Sequence, residues 1–230
     1  MADNLPQHIA IVPDGNRRWA ARKGIPNIEG HQAGADRMHN VVERLIPLGI
    51  KYLTVWGFST DNWKRTSDEV QSLFQVLQLW IEKDTPWLHE NSVRLKHIGR
   101  LQELPVGLQG AIGQAVALTG HNSGMTLNLA FNYTGRAEII DAIRHLIDDQ
   151  IPGHLVDEKL VSRYLYTDGI PDVDLVIRTA DEVRLSNFML WQTAYSEYYF
   201  TAVFWPDFDK LELEKALAAY SQRQRRFGGD

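Results

Sequence analysis

His8-Ile9-Ala10-Ile11-Val12-Pro13-Asp14-Gly15-Asn16-Arg17-Arg18-Trp19 decides the fold. Its first five residues form a short, largely apolar run with β-branched members, the pattern of a strand buried on both faces. Asp14 and Gly15 then stand where a strand would turn into a helix. Working outward, comparable runs occur at 52–58, 93–98, 125–131 and 173–178, with a further one at 198–203. Helical patterns lie between them. Residues 33–48 and 137–147 are amphipathic. Val70, Leu73, Phe74, Leu77, Trp80 and Ile81 share one helical face, as do Leu213, Leu217 and Tyr220. Strands alternating with helices predict an α/β fold, a mainly parallel sheet covered on both faces and formed as a single domain over residues 1–230.

In such a sheet ligands gather beyond the carboxyl ends of the strands. Three polar segments stand there: Pro13 to Trp19, Ser59-Thr60-Asp61-Asn62-Trp63-Lys64-Arg65, and Arg178 through Phe188. All are charged and flanked by aromatic residues, so they point to one shared site. A helix start offers free N–H groups to a phosphate, and Gly15 lets the backbone come close. Asn16, Arg17 and Arg18 add donors and charge. A carboxylate beside a phosphate repels it unless a cation lies between, so Asp14 reads as a magnesium ligand. The same Asp14-Gly15-Asn16 also reads as a turn and helix cap.

In the late segment, Arg178, Arg184 and Ser186 suit a second diphosphate, because guanidinium groups bind oxyanions bidentately. Of the nearby carboxylates Glu182 and Glu197, one would complete a metal site and the other orient an arginine. Arg178 to Ser186 equally reads as a surface ion-pair network. Thr66 and Glu69 fit a capping box, leaving Glu69 either a helix start or a functional group. His31, in Gly30-His31-Gln32-Ala33-Gly34, opens another helix and is placed to hydrogen-bond a phosphate or to serve structure alone.

Composition excludes several classes. The chain has 230 residues and no cysteine, which removes disulfides, thiolate catalysis and cysteine-held zinc. A formal net charge of −5 argues against a dedicated nucleic-acid partner. The first eight residues lack a basic region followed by an apolar run, and no apolar stretch approaches the roughly 20 residues needed to span a bilayer. The expected location is the cytoplasm, with a greasy substrate drawing the protein to a membrane surface. There is no GxxxxGK[ST] loop, no HExxH, no GxGxxG and no DDxxD.

Taken in order, these segments resemble the cis-prenyltransferases, most closely the bacterial undecaprenyl diphosphate synthases, from residue 8 to residue 229. Further motifs carry the resemblance: Asn128-Leu129-Ala130-Phe131-Asn132-Tyr133, Asp174-Leu175-Val176-Ile177-Arg178-Thr179, Arg184-Leu185-Ser186-Asn187-Phe188, Trp191-Gln192-Thr193-Ala194-Tyr195-Ser196-Glu197 and Trp205-Pro206-Asp207-Phe208. The resemblance implies a homodimer built on a six-stranded, mostly parallel sheet ringed by helices, with a hydrophobic tunnel for the growing chain. It implies condensation of isopentenyl diphosphate with an allylic diphosphate such as farnesyl, geranyl or dimethylallyl diphosphate. The product is a Z-polyprenyl diphosphate, with pyrophosphate released and Mg2+ as cofactor.

By the same resemblance Asp14 matches the magnesium-binding aspartate and Glu197 the second carboxylate near the metal. Gly15, Asn16, Arg17 and Arg18 match the allylic diphosphate loop, with His31 beside it. Asn62 matches the asparagine that assists proton removal, and Ser59, Trp63 and Arg65 match substrate contacts. Arg178, Arg184 and Ser186 match the isopentenyl diphosphate pocket. Trp19, Thr60, Asp61 and Leu185 lie in the same motifs and are taken as substrate-binding. Arg226-Phe227-Gly228 resembles a C-terminal element that reaches the neighbouring subunit.

Some positions depart from the family pattern. Asn27 stands in place of an arginine, a loss that Arg22 or Lys23 would have to make good. Ala180-Asp181 replaces a Gly-Gly or Ser-Gly pair, and Pro13 a methionine. Phe131 and Trp56 either block a long chain or pack in the core. The alternatives carried are a branching or cyclising condensation of short allylic diphosphates and a non-catalytic partner subunit.

Overall fold

The first strand is the interior of the sheet. In the computed structural model, which describes residues 5–223, β1 (His8–Val12) is buried at every position. It pairs in parallel with β2 (Tyr52–Phe58) on one side and β5 (Leu175–Arg178) on the other. With β3 (Arg94–Ile98), β4 (Thr126–Phe131) and β6 (Glu197–Phe200) the sheet order is β3-β4-β2-β1-β5-β6, and every pairing is parallel. The six strands lie where the sequence placed them, except that the last begins at Glu197 and ends at Phe200. Phe204 and Trp205 beyond it enter a short 3-10 turn at Trp205–Asp207 instead of extending the strand.

Seven α-helices accompany the sheet among the described residues: α1 (Asn16–Lys23), α2 (Asn27–Leu45), α3 (Ser67–Glu90), α4 (Val106–Thr119), α5 (Gly135–Asp148), α6 (Glu158–Tyr164) and α7 (Lys210–Ser221). The predicted face of α3, from Val70 to Ile81, is buried throughout. Helix α2 starts six residues before the sequence pattern suggests, so His31 lies in its second turn instead of opening it. Its early glycines are contact points: a Cβ on Gly30 would stand 2.4 Å from the Asn16 carbonyl oxygen, and one on Gly34 2.7 Å from Asn16 Oδ1. They let α2 lie flush against the start of α1. Helix α4 carries Gly107, Gly110 and Gly113, which lower helix propensity and hide it from a pattern reading. Burial of Leu108, Ile112 and Ala115 outweighs that cost.

One expected cap is absent. Thr66 is the N-cap of α3, but its side chain makes no capping bond. Glu69 turns instead to two guanidinium groups, Arg65 Nη1 at 2.9 Å and Arg17 Nη1 at 3.3 Å. The box is formed one segment earlier, where Asn62 Oδ1 accepts the Ser59 N–H at 3.0 Å and closes the 3-10 turn Thr60–Lys64.

Candidate active site

The crevice opens beside the carboxyl end of β1. Val12 is in register with Arg178, the last residue of β5, so the loop after β1 and the loop after β5 lie side by side. Gly15 takes φ 101 to swing the chain into α1. A Cβ there would meet the Phe204 ring at 2.8 Å and the Ala180 methyl at 2.9 Å. The Asp14 carbonyl is pinned from two sides, by the Trp205 N–H at 3.0 Å and the Thr179 hydroxyl at 2.7 Å. The Asp14 side chain is thereby fixed at the mouth.

Arg178 is the organising cation. Its side chain is only 4% exposed. Nε and Nη2 donate to Asp14 Oδ2 at 3.0 and 2.7 Å, and Nη1 donates to Ser186 Oγ at 2.8 Å and to the Arg184 carbonyl. The other arginines of the mouth are held by carboxylates too. Glu182 bridges Arg18, at 2.9 Å, and Arg184. Glu69 bridges Arg17 and Arg65. These carboxylates hold apart guanidinium groups that would otherwise repel one another, in positions where an anionic ligand can replace them.

Behind this mouth lies a cavity of about 750 Å3. Asp14, Gly15, Asn16, Arg17, Arg18, His31, Ser59, Asp61, Asn62, Arg65, Arg178 and Ser186 line its polar end, while Met38, Leu73, Leu77, Trp80, Leu129 and Phe131 line an apolar interior. Two polar atoms here are buried and lack a hydrogen-bond partner, His31 Nε2 and Asn16 Oδ1. Burial, reinforced by the Arg65 and Arg17 charges and opposed by Glu69, lowers the His31 pKa to about 4. The imidazole is therefore neutral at physiological pH, and its Nε2 has no hydrogen-bond partner among the described residues.

Other expected site residues fall elsewhere. Trp19 donates Nε1 to Asp207 and carries Lys23 over its ring, outside the cavity lining. Thr60 bonds Thr134, and Trp63 donates to Asn132 Oδ1 at 2.8 Å while packing edge-on against Phe58 and Phe74. Leu185 packs against the apolar cluster on the other side of the sheet, and Arg184 meets the mouth through its side chain on Glu182 and its carbonyl on Arg178.

Glu197 lies apart from Asp14 within the chain. It is in register with Leu175, three residues before Arg178, which puts it about 10 Å back along the strands from the mouth. There it pairs with Arg223 at 2.6 Å. Parallel register places it at the amino-terminal end of β6, away from the Asp14 of the same chain. No group of three or more histidine, aspartate or glutamate side chains converges as a metal site among the described residues. Arg22 and Lys23 lie over the rings of Phe204 and Trp19, so neither takes the place of the arginine missing at Asn27, which itself lines the cavity. Phe131 and Trp56 both line the cavity and both pack against rings, Phe131 on Phe58 and Trp56 on Phe188. Ala180 and Asp181 hold φ of 69 and 60, a left-handed backbone that glycine adopts more easily, and are fixed by bonds to the Val203 and Thr201 carbonyls. Arg226-Phe227-Gly228 lies outside the described residues.

Sequence reasoning missed the roles of Thr179 and Trp205 in fixing Asp14. It also missed that the buried face of α3 doubles as the cavity wall. The apolar stripe was visible; its facing an empty space was not.

Two expected results arise here. Gly30→Ala pushes the first turn of α1 off α2, and calorimetry should read weaker binding of inorganic pyrophosphate together with a lower Tm. His8, His31 and His97 all have burial-lowered pKa values of about 4, against 6.5 when free. The unfolded chain then binds more protons than the native one between these values. Their contribution to stability is complete above pH 6.5 and is lost as pH falls toward 4. Urea midpoints measured across this window should fall steeply, and His97→Gln should flatten the slope.

Comparison with known proteins identifies the family. The family model described as "Putative undecaprenyl diphosphate synthase" matches residues 12–228. Isoprenyl transferases from Fusobacterium nucleatum and Heliobacterium mobile are 47% and 44% identical over 229 residues, covering 100% and 98% of this chain and 98% and 88% of theirs. Lavandulyl diphosphate synthase from Lavandula x intermedia, solved in complex with dimethylallyl diphosphate, superimposes with a TM-score of 0.94 at 37% identity over 98% of this chain and 99% of that one. A Campylobacter jejuni structure described as "a probable undecaprenyl diphosphate synthase" gives 0.84 at 32% identity, over 99% and 100%. With its parallel sheet, its arginine-lined mouth and a match along nearly its whole length, the chain belongs to the undecaprenyl diphosphate synthase family of isoprenyl transferases.

Proposed function

We propose that the protein condenses isopentenyl diphosphate with an allylic diphosphate to give a Z-prenyl diphosphate and pyrophosphate. The observation that carries this reading is a single cavity with a cationic mouth at Asp14 and Arg178 and an apolar interior between α2 and α3. Diphosphates seat on the arginines and the hydrocarbon points inward.

The residues at the mouth fit a magnesium ion. Asp14 is 38% exposed with Oδ2 bonded to Arg178, leaving its other oxygen open, and magnesium needs only one or two carboxylates when phosphate oxygens and water complete its shell. When bound, it neutralises charge on the leaving diphosphate. Arg17, Arg18 and His31 hold the allylic diphosphate. Arg178, Arg184 and Ser186 hold the isopentenyl diphosphate, so that its double bond faces the allylic carbon. The carbon–oxygen bond to the allylic diphosphate breaks as the new carbon–carbon bond forms. The proton then lost passes to the departing pyrophosphate. Asn62, its Oδ1 held by Ser59, orients this step and is not the base.

No helix among the described residues is long and apolar enough to cross a membrane. The exposed Ile140, Ile143 and Ile147 along α5 support assembly as a homodimer. The superposition on lavandulyl diphosphate synthase favours a second reading, a branching condensation of short allylic diphosphates. Labelled isopentenyl diphosphate, offered with dimethylallyl, geranyl or farnesyl diphosphate, with magnesium or with chelator, separates them. Linear cis products formed only with magnesium support the first, branched products the second, and no product with any primer overturns both.

A further inference from the structure

Two of the loops that form the polar end of the site are anchored on the first turn of α5. Thr134 is the N-cap of that helix, yet its side chain makes no capping bond. Its hydroxyl lies instead 3.0 Å from the Thr60 hydroxyl, at the head of the Thr60–Lys64 turn that carries Asn62. The cap comes from far along the chain. The Asn187 carbonyl accepts the Gly135 N–H at 2.7 Å, and Asn187 Oδ1 accepts the Arg136 N–H at 2.9 Å. One residue of the late loop thereby satisfies two of the N–H groups that a helix start leaves unpaired. Gly135 permits the approach, since a Cβ there would stand 2.9 Å from the Leu190 nitrogen.

The contact sits where the late loop changes character. Before it, Val183, Arg184 and Ser186 are exposed; after it, Phe188 and Met189 are fully buried. Ser186, Asn187 and Met189 hold φ of 53, 69 and 44, a run of left-handed backbone without a glycine. Asparagine accepts this conformation more readily than most residues. Such a cluster persists only where the surroundings over-determine it. The two bonds to α5 supply that hold.

The bonds of this loop differ in what a ligand does to them. Ser186 Oγ and the Arg184 carbonyl are both held by Arg178 Nη1, on the guanidinium that would engage the second diphosphate. A bound anion competes for those donors. The bonds from Asn187 face α5 and not the cavity, whose lining includes Ser186 but not Asn187. They keep the loop in place when the bonds to Arg178 are given up.

Resting on the function proposed above, we propose that Asn187 is a positioning residue for the isopentenyl diphosphate site. It touches no substrate. By capping α5 it fixes the backbone from which Ser186 and Arg184 meet Arg178, so the second diphosphate enters a preformed pocket. Thr134, engaged by Thr60, leaves the closing of this helix start to Asn187.

The test compares wild type with Asn187→Ala, Asn187→Gly and Asn187→Asp. Glycine keeps the left-handed backbone and loses Oδ1; aspartate keeps an acceptor at the cap. KM for isopentenyl diphosphate should rise by about tenfold or more in the alanine and glycine variants, with KM for the allylic primer unchanged. Asn187→Asp should stay within about twofold of wild type. Asp157→Ala removes the bond that caps α6 at the Leu160 N–H and controls for lost stability. Its Tm should fall with both KM values unchanged. Calorimetric affinity for isopentenyl diphosphate without primer should follow the same order and needs no turnover. If Asn187→Ala does not fold, Asn187→Gly decides, since glycine adopts this φ without strain. Unchanged KM and affinity in folded Asn187→Gly overturn the positioning role. So do equal rises in KM for both substrates, or an aspartate variant as impaired as alanine. Wild type that binds isopentenyl diphosphate but condenses it with no primer overturns the proposed function instead, and the affinities then still decide the role of Asn187.

Discussion

Asp14→Ala is expected to remove nearly all condensation, by about 10^3-fold or more in kcat, with the fold intact. Asp14 is a mouth residue, not a core one, and its backbone is held independently by Trp205 and Thr179. Truncating the carboxylate therefore leaves the loop in place while removing the anchor proposed for magnesium. Arg178 loses one partner but keeps Ser186 Oγ and the Arg184 carbonyl, which limits the stability cost. Asp14→Asn is the sharper control, since it retains an acceptor oxygen for Arg178 and loses the charge. Both variants should show wild-type circular dichroism and lose activity together. Wild-type turnover with magnesium in either variant would remove the metal assignment.

Arg178→Ala is expected to damage both stability and activity. This guanidinium is buried and spans β1 and the late loop, joining Asp14, Ser186 and the Arg184 carbonyl. Breaking a fully buried ion pair costs about 3–5 kcal/mol. Because Asp14 is partly exposed, water recovers part of this, and about 2 kcal/mol is a fairer figure. That corresponds to a Tm lower by about 4–8 °C for a chain of this size. Arg178→Lys should recover little activity, because a point charge cannot serve three partners in a fixed plane. A large rise in KM for isopentenyl diphosphate should accompany the loss in kcat. If the lysine variant matches wild type in both constants, the clamp is not the second diphosphate site.

Much of this was legible because it is local. The run at residues 8–12 has the composition of a strand buried on both faces, and Gly15 marks the turn into α1. The stripe from Val70 to Ile81 repeats at helical spacing and is buried in the structure. Helix α4 escaped because its glycines mask a pattern that tertiary burial enforces. The Thr66–Glu69 spacing fitted a cap, but two cations nearby offered Glu69 stronger partners than a backbone N–H.

The sequence by itself determined where the first five strands end and which polar groups follow them, because periodicity and turn chemistry act over a few residues. It also fixed the family, since several motifs occur in one order along nearly the whole chain. Only the tertiary structure decided which of those groups meet. The placement of β1 between β2 and β5 joins Asp14 to Arg178 across 164 residues, and parallel register carries Glu197 to the other end of the sheet. The apolar interior of the cavity arises from the packing of α2 on α3, two helices across which His39 finds Asp84 forty-five residues away. Such meetings depend on sheet order and on how helices pack, and neither is encoded in the spacing of residues along the chain.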